Sequence, residues 1–187
     1  MTTLYFVRHA QPNYDNHNDL TRELTEKGLS DRKKILKFFC GKDIDYIFSS
    51  HFKRCIDTIS PLAKERNKDI IIREDLRERC VGNIWLSDFD SFAQKQWEDF
   101  SYALEGGENL AAVQHRNISV IKDILKTYPD KNIVIATHGT ALSTIINYYD
   151  KSWNYPDFKR IKSVMPFIAV MKFDGEKFIN RTMYEEL

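Results

Sequence analysis

The chain of 187 residues is long enough for one domain with a sizeable hydrophobic core. Its formal net charge of +1, with 42% hydrophobic and 29% charged residues, gives no basic face for nucleic acid or an anionic membrane. No apolar stretch approaches the roughly 20 residues that span a bilayer, and Arg8 interrupts the first apolar run too early for a secretory signal peptide.

Hydrophobic periodicity predicts strands and helices that alternate along most of the chain. In chain order we expect a strand at 3–8, a helix at about 25–39, a strand at 44–50, a helix at about 52–66, a strand at 69–74, a helix at about 109–128, a strand at 132–137 and a helix that ends near 149. Two further strands, at 164–173 and 177–184, are joined by the turn dipeptide Asp174-Gly175 and predict a terminal hairpin.

This alternation predicts a single α/β domain over residues 1–187, with a three-layer α/β/α arrangement. The runs III and IVIA contain only apolar residues, which indicates strands buried on both faces of a mostly parallel central sheet. The terminal hairpin supplies an antiparallel edge. Ligands of such sheets bind beyond the carboxyl ends of the strands, so the residues that follow each strand are the first candidates for a site.

Chemically active side chains follow four of the predicted strands. Arg8 and His9 end the first strand, and Arg54 comes shortly after the second. Glu78 follows the third strand, and His138 follows the fourth. Guanidinium forks bind phosphate oxygens in bidentate fashion, a neutral imidazole can attack phosphorus, and a protonated carboxyl can donate to a leaving oxygen. The set therefore indicates phosphoryl transfer.

The motifs around these residues resemble those of the histidine phosphatase superfamily, the phosphoglycerate mutase-like proteins. LYFVRHAQP, LTEKG, SSHFKRCIDT, LRERCVG and ATHGTAL occur in the family's order between Leu4 and about Ile146. An Arg-His dipeptide alone is common, whereas five motifs in order are specific. The resemblance implies a phosphoglycerate mutase-like fold and a metal-independent phosphomonoester hydrolase that needs no cofactor.

The resemblance also implies roles for individual residues. His9 matches the nucleophile that becomes phosphohistidine, and Glu78 matches the proton donor to the leaving group. Arg8 and Arg54 match the phosphate-binding arginines, and His138 matches the second histidine of the phosphate pocket. The residues expected to contact the substrate are Arg8, Arg54, Gln11, Asn13, Asn16 and Gly139.

Three positions depart from the family's pattern. Ala10 stands where the family usually has glycine, and Asp15 stands where it commonly has asparagine. A carboxylate that faced the phosphate would repel it, so we expect Asp15 to point away, with Asn13 or Asn16 in its place. Glu108 lies in Gly-Glu-Asn rather than Gly-Glu-Ser, which leaves open a functional role and a favourable charge ahead of a helix.

Two other functions stay open from the sequence. A phosphoglycerate mutase-type enzyme would return the phosphoryl group to its substrate, but the segment between Glu78 and His138 is short for the insertion that closes family mutases against water. A non-catalytic phospho-ligand binding module would need only the arginines. The expected partner is a small-molecule phosphate monoester, with neither nucleic acid nor membrane, and the expected assembly is a monomer or homodimer.

The histidines and cysteines predict no metal site. The five histidines show no HxH or HExxH spacing, and the three cysteines form no zinc pattern. A serine hydrolase is also not indicated, because GxSxG is absent. The wide spacing of Cys40, Cys55 and Cys80 favours reduced thiols and a cytoplasmic location.

Residues at about 79–108 are expected to form a small helical lid over the site. The stretch 84–105 contains Lys95 as its only strong base and six aromatic residues, Trp85, Phe89, Phe92, Trp97, Phe100 and Tyr102. We expect at least half of these rings to pack the lid onto the sheet. The remaining rings favour neutral or apolar monoesters over polyanions such as bisphosphates.

Overall fold

A six-stranded sheet forms the centre of the computed structural model, which describes residues 1–187. The strands are β1 (Thr2–Arg8), β2 (Tyr46–Ser49), β3 (Ile70–Ile72), β4 (Asn132–Thr137), β5 (Phe167–Asp174) and β6 (Lys177–Tyr184). Their order across the sheet is β3-β2-β4-β1-β5-β6. The first four of these are parallel, and β5 and β6 run antiparallel at one edge. The predicted mostly parallel sheet with an antiparallel edge is confirmed.

Helices cover both faces of the sheet. They are α1 (Glu26–Phe39), α2 (Lys53–Glu65), α3 (Phe89–Glu98), α4 (Leu110–Thr127), α5 (Gly139–Tyr149) and α6 (Tyr155–Ile161). Val7 of β1 belongs to a buried cluster with α1 and α2, whereas its neighbour Phe6 belongs to a second cluster with α4, α5 and α6. Successive residues of a strand point to opposite faces, so the two clusters are the two interfaces of a three-layer fold.

The predicted elements differ from the structure mainly in short segments. Strand β3 covers only Ile70–Ile72, and a 3₁₀ turn over Glu74–Leu76 follows it. The terminal hairpin begins at Phe167 rather than at 164, since Pro166 has no N–H to donate to a neighbouring strand. None of the helices combines the length and apolar character needed to cross a bilayer.

Helix α6 was not predicted, although a local signal for its start is present. Asn154 and Asp157 form a capping box, and Pro156 lies in the first turn, where its missing N–H costs nothing. With seven residues the helix is too short for its hydrophobic periodicity to be recognised. Its position matters because its last carbonyl groups contact the candidate site.

Candidate active site

The register of three parallel strands brings the candidate residues together. Arg8 pairs with Thr137, and Ser49 pairs with Ala136, so the three residues that follow these strands lie side by side. The backbone N–H of His9 donates to the carbonyl oxygen of Thr137 at 3.1 Å. As a result, the ring centroids of His9 and His138 are 5.3 Å apart, although 129 positions separate them in the sequence.

The His9 side chain is held as a neutral imidazole with one defined tautomer. Its Nδ1 lies 2.8 Å from the carbonyl oxygen of Ala10, an acceptor that requires the proton on Nδ1 and leaves a lone pair on Nε2. Burial lowers the pKa of His9 well below 6.5, and the positive charges of Arg54 and Arg8 lower it further. A neutral imidazole with a free Nε2 is the form that can attack phosphorus.

His138 is fully buried at the N-terminus of α5, where it precedes the first helical residue. Its Nε2 lies 2.7 Å from the hydroxyl oxygen of Ser50 and 3.4 Å from the sulfur of Cys55. Burial lowers the pKa of His138 well below 6.5, with further contributions from Arg54 and His9. Both histidines of the pair are therefore neutral at neutral pH.

These depressed pKa values predict a pH dependence of stability. Below 6.5 the unfolded chain binds protons at both histidines that the folded chain does not bind, so the free energy of unfolding falls as the pH falls. The expected decrease is up to about 1.4 kcal/mol per pH unit for each histidine. Denaturant unfolding at about pH 7.5 and about pH 5.5 measures this decrease in the free energy of unfolding. In His9→Gln about half of the decrease is expected to disappear. The control His115→Gln changes an exposed histidine and is expected to keep the whole decrease. An unchanged pH dependence in His9→Gln would contradict the depressed pKa of His9.

Two buried arginines hold an acidic side chain beside the histidine pair. Arg54 is 2% exposed and donates to the backbone oxygen of Asp19 at 2.7 Å, with its other terminal nitrogen 3.2 Å from the Asp19 carboxylate. Arg22 is 6% exposed and donates to the same carboxylate oxygen at 2.8 Å. This oxygen marks a position where two guanidinium groups bind one anion. Arg22 was missed by the sequence reasoning because it lies outside the five motifs, where nothing distinguishes it from a surface arginine.

Arg8 is oriented by the end of α6 and by Gly139. Its guanidinium donates to the carbonyl oxygens of Ile161 at 2.7 Å, Lys162 at 2.8 Å and Val164 at 3.2 Å. A Cβ atom on Gly139 would lie 3.0 Å from Cζ of Arg8, so glycine lets the guanidinium lie against the first turn of α5. The Nε of Arg8 is buried without a partner, which leaves one donor of this arginine unused.

The Glu78 carboxylate lies at the N-terminus of α5. One oxygen accepts from the backbone N–H of Arg79 at 2.8 Å and of Ala141 at 3.1 Å, and the other accepts from Thr140 at 2.9 Å. Backbone donors at a helix N-terminus favour negative charge. Glu78 and Gly139 therefore meet at the same helix start, one residue beyond His138.

A partly buried ion pair holds the segment that carries Glu78. Arg116 of α4 donates to both carboxylate oxygens of Glu108, at 2.8 and 2.9 Å, and to the backbone oxygens of Asp75, Arg77 and Glu78. The second oxygen of Glu108 also accepts from the backbone N–H of Cys80 at 3.0 Å. The N-cap of α4 is Asn109 rather than Glu108. The contacts of Glu108 fit neither a helix cap nor a substrate contact. They indicate instead that Glu108 supports the segment that carries Glu78.

Removal of Arg116 is expected to destabilise the protein strongly. The variant Arg116→Met would leave Glu108 with only Arg77 as an arginine partner, at 3.2 Å, and three backbone oxygens without this donor. The expected cost is about 3 to 5 kcal/mol in the free energy of unfolding, mostly from the backbone oxygens. As a control, Arg73→Met removes an exposed pair with Asp123 and is expected to cost less than about 1 kcal/mol. Urea denaturation of the two variants compares them, and similar losses would contradict a supporting role for Arg116.

A cavity of about 550 Å³ opens at this edge of the sheet. Four of the predicted site residues line it: Arg8, Arg54, Glu78 and Gly139. His9 and His138 are 4% and 0% exposed, and their chain neighbours Arg8 and Gly139 line the cavity. Residues that the sequence reasoning did not assign also line it, among them Arg22, Asp19 and Lys162.

The side-chain amides expected to contact the substrate, those of Gln11, Asn13 and Asn16, are engaged in the loop before α1. None of the three lines the cavity. Asn13 and Asn16 each donate to one oxygen of Glu23, at 2.7 and 2.8 Å, and these bonds lower the pKa of Glu23 to about 2. The Gln11 side chain accepts from the hydroxyl of Thr25 at 2.9 Å. Their amide groups are therefore used to fix the loop before α1.

Asp15 and Gly28 fit the same description of this loop. Asp15 is exposed and lies outside the cavity, as the sequence reasoning expected. A Cβ atom on Gly28 would lie 2.2 Å from the backbone oxygen of Gln11, so only glycine allows the start of α1 to pack there. The LTEKG motif therefore has a structural explanation.

The aromatic residues of the stretch 84–105 divide into two groups. Trp85 and Phe89 line the cavity. The other four lie outside it, where Trp97 packs against Phe100 and Phe158, and Phe92 against Tyr102. Four of the six rings therefore serve packing, and of these Trp97 packs against the cluster beside the sheet.

Comparison with known proteins gives a consistent result. A family model described as the histidine phosphatase superfamily (branch 1) matches residues 4–185. Putative phosphoserine phosphatase 2 of Hydrogenobacter thermophilus is 26% identical over 158 residues, which cover 78% of this chain and 77% of that protein. A 2,3-bisphosphoglycerate-dependent phosphoglycerate mutase of Rhizobium etli is 25% identical over 167 residues, 78% of each chain.

Solved structures share the fold. Phosphoserine phosphatase from Entamoeba histolytica, in complex with 3-phosphoglyceric acid, superposes with a TM-score of 0.79 at 20% identity, covering 98% of this chain and 96% of that one. YhfR of Bacillus stearothermophilus superposes with a TM-score of 0.77 at 23% identity, covering 96% and 95%. The phosphoglycerate mutase-like fold expected from the motifs is confirmed.

Proposed function

The chain belongs to the histidine phosphatase superfamily, and on that basis we propose that it hydrolyses small phosphate monoesters through a phosphohistidine formed on His9. The observation that carries the proposal is a neutral, singly oriented imidazole beside two buried guanidinium groups that already hold an anionic oxygen. Relatives named as phosphoserine phosphatases support hydrolysis as the outcome.

In the first step, Nε2 of His9 attacks phosphorus and the bond from phosphorus to the ester oxygen breaks. Arg54, Arg22 and the free Nε of Arg8 bind the phosphoryl oxygens while charge redistributes in the transition state. Glu78 in its protonated form gives its proton to the leaving alcohol. The three backbone N–H groups around Glu78 then stabilise the carboxylate that remains.

Substrate binding requires that Asp19 give up its arginines. The Asp19 side chain is 49% exposed, so its carboxylate can move into water when a phosphate approaches. A phosphate monoester brings close to two negative charges where Asp19 brings one, and its three oxygens can contact both guanidinium forks. The exchange therefore favours the substrate.

In the second step, water attacks the phosphohistidine, and Glu78 takes the proton from that water. The bond between phosphorus and Nε2 breaks, inorganic phosphate leaves, and His9 returns to its neutral form.

A bound phosphoryl group favours the protonated form of His138, whose ring is 5.3 Å from that of His9. His138 then donates a hydrogen bond to the phosphoryl group, and Ser50 holds its orientation.

The organisation around this site is part of the proposal. We treat residues 1–187 as one domain, with a lid at about 79–108 that contains α3. Support for the lid comes from the contact of α3 with α6, where the Tyr155 hydroxyl donates to the backbone oxygen of Asp90 at 3.2 Å. Residues 84–86 and Phe89 then cover one side of the cavity.

Phosphate release from a panel of small monoesters tests the function. We expect release from at least several monoesters, at rates that do not change when a chelator such as EDTA is added, because the proposed steps use only side chains of this chain. The same samples are assayed for interconversion of phosphoglycerate isomers. Isomer interconversion faster than phosphate release would favour a mutase, and no release by the folded protein would defeat the proposal.

A further inference from the structure

Water-exposed hydrophobic side chains surround the mouth of the cavity. Tyr14, Ile84, Trp85 and Phe89 are 48%, 60%, 56% and 36% exposed, and all four line the cavity. Most other large hydrophobic residues of the chain are buried or partly buried in the two clusters beside the sheet. Exposed apolar groups collected at one cavity are typical of a surface that contacts a ligand.

Two of these rings are held in place by their neighbours. Trp85 stacks on His17 with ring centroids 3.9 Å apart and an interplanar angle of 8°, which joins the loop before α1 to the segment before α3. The Tyr14 hydroxyl lies 3.9 Å from the sulfur of Met165. Rings that are fixed before a ligand arrives lose little entropy when it binds.

Arg22 connects these rings to the phosphate position. Its guanidinium carbon is 5.7 Å from the centroid of the Tyr14 ring and 5.7 Å from that of Trp85. The same guanidinium donates to Asp19 at the oxygen shared with Arg54. The position of this oxygen therefore lies beside the part of the cavity wall that Tyr14 and Trp85 form.

We propose that the preferred substrates carry a flat apolar ring on the leaving group, which binds against Tyr14 and Trp85 at the mouth of the cavity. This inference rests on the proposed phosphatase function and names the substrate class for the same site. Ring-to-ring contact favours an aromatic group over a short alkyl chain, because the aromatic group buries more apolar area and can stack.

Two cavity-lining cations outside the phosphate position, Arg79 and Lys162, would favour a different substrate, one with a carboxylate, and Lys162 is already paired with Asp90. Arg79 is the stronger candidate of the two. It lines the cavity and its Nε has no partner. Its guanidinium, however, lies 5.2 Å from the ring centroid of Phe89 and 4.9 Å from that of Phe92, and it donates to Gln96 at 2.7 Å. These contacts make Arg79 part of the wall that holds Phe89, and a substrate with a carboxylate, O-phosphoserine, tests the alternative.

The experiment compares kcat/KM for 2-phenylethyl phosphate, ethyl phosphate and O-phosphoserine. The first two share a primary alcohol as leaving group, so the ratio of their kcat/KM values reports the ring. We expect a ratio of about 30 to 100 in the wild type, because a ring adds roughly 100 Å² of buried apolar area. In Trp85→Ala the ratio is expected to fall below about 3, and Trp85→Phe is expected to keep most of it.

The control is Ile179→Ala, which removes an exposed hydrophobic side chain of β6 and is expected to keep both the rates and the ratio. Equal kcat/KM for the phenylethyl and ethyl esters would overturn the inference and leave the phosphatase function standing. A preference for O-phosphoserine that is lost in Arg79→Gln would also overturn it. If the folded protein hydrolyses none of the three esters, the proposed function fails and this inference fails with it.

Discussion

Replacement of His9 by alanine is expected to reduce kcat for monoester hydrolysis at least about 10⁴-fold, since removal of a covalent nucleophile elsewhere costs about that much or more. The reason is specific to the position. Nε2 of His9 has a free lone pair, and a backbone acceptor at Nδ1 fixes the orientation of the ring. The neighbouring histidine cannot replace it, because Nε2 of His138 is engaged by Ser50. The remaining cluster would still bind phosphate without forming a covalent intermediate.

Initial rates with para-nitrophenyl phosphate measure this effect. The matched control is His115→Ala, which removes an exposed imidazole on α4 and is expected to keep wild-type rates. Circular dichroism and the midpoint of denaturant unfolding establish that both variants are folded. A folded His9→Ala protein with more than about 1% of wild-type kcat would contradict the assignment of the nucleophile.

The second large effect is expected from Arg54→Met, with a loss of about 10² to 10³ in kcat/KM. Arg54 is the most buried of the three arginines at the site, and its guanidinium meets the anionic oxygen of Asp19 together with Arg22. Methionine keeps much of the side-chain volume but removes the fork that stabilises charge in the transition state. Arg54→Lys keeps the positive charge but lacks the fork, so we expect its kcat/KM to lie between those of Arg54→Met and the wild type.

The control for this variant lies next to it in α2. Lys53→Met removes an exposed positive charge that pairs with Asp57, and we expect kcat/KM to change less than about 3-fold. Parallel measurement of kcat and KM separates binding of the ground state from stabilisation of the transition state. A loss below about 10-fold in Arg54→Met would show that this arginine does not hold the transferring group.

The convergence of the site could be predicted from sequence because it follows from sheet geometry. Parallel strands that are adjacent and in register end at one edge, so residues directly after β1, β2 and β4 must meet. The position of His9 beside His138 needs only that rule and correctly assigned strands. The bounds of the longer elements, such as α4 and β4, were predictable for the same reason: their hydrophobic periodicity is long and regular.

Contacts made by single side chains across loops could not be predicted. The sequence did not indicate that Asn13 and Asn16 lie outside the cavity lining, where Glu23, seven to ten residues further along the chain, accepts hydrogen bonds from both amides. The sequence shows the three residues but not the loop path that brings them together. Arg116 illustrates the same limit, since its backbone partners lie in a 3₁₀ turn and a loop up to 41 positions before it in the chain.

The orientation of Arg8 depends on an element that periodicity did not detect. Three carbonyl groups at the end of α6 and just beyond it accept from this guanidinium, and α6 has only seven residues. The sequence of residues 84–105 also gives an incomplete account of the charge at the cavity. Arg79 and Lys162 lie outside that stretch, yet both line the cavity, so its positive charge exceeds what the lid sequence suggested.

Detection of a phosphoryl group on His9 tests the central claim most directly. Para-nitrophenyl phosphate suits the experiment because its leaving group departs without a proton, so Glu78→Gln is expected to slow only the hydrolysis of the intermediate and let it accumulate. After rapid quenching in base, mass spectrometry of the peptides is expected to find one phosphoryl group, stable in base and labile in acid, on His9. Turnover with an acid-stable phosphoryl group, or with one on any residue other than His9, would contradict the mechanism proposed for this protein.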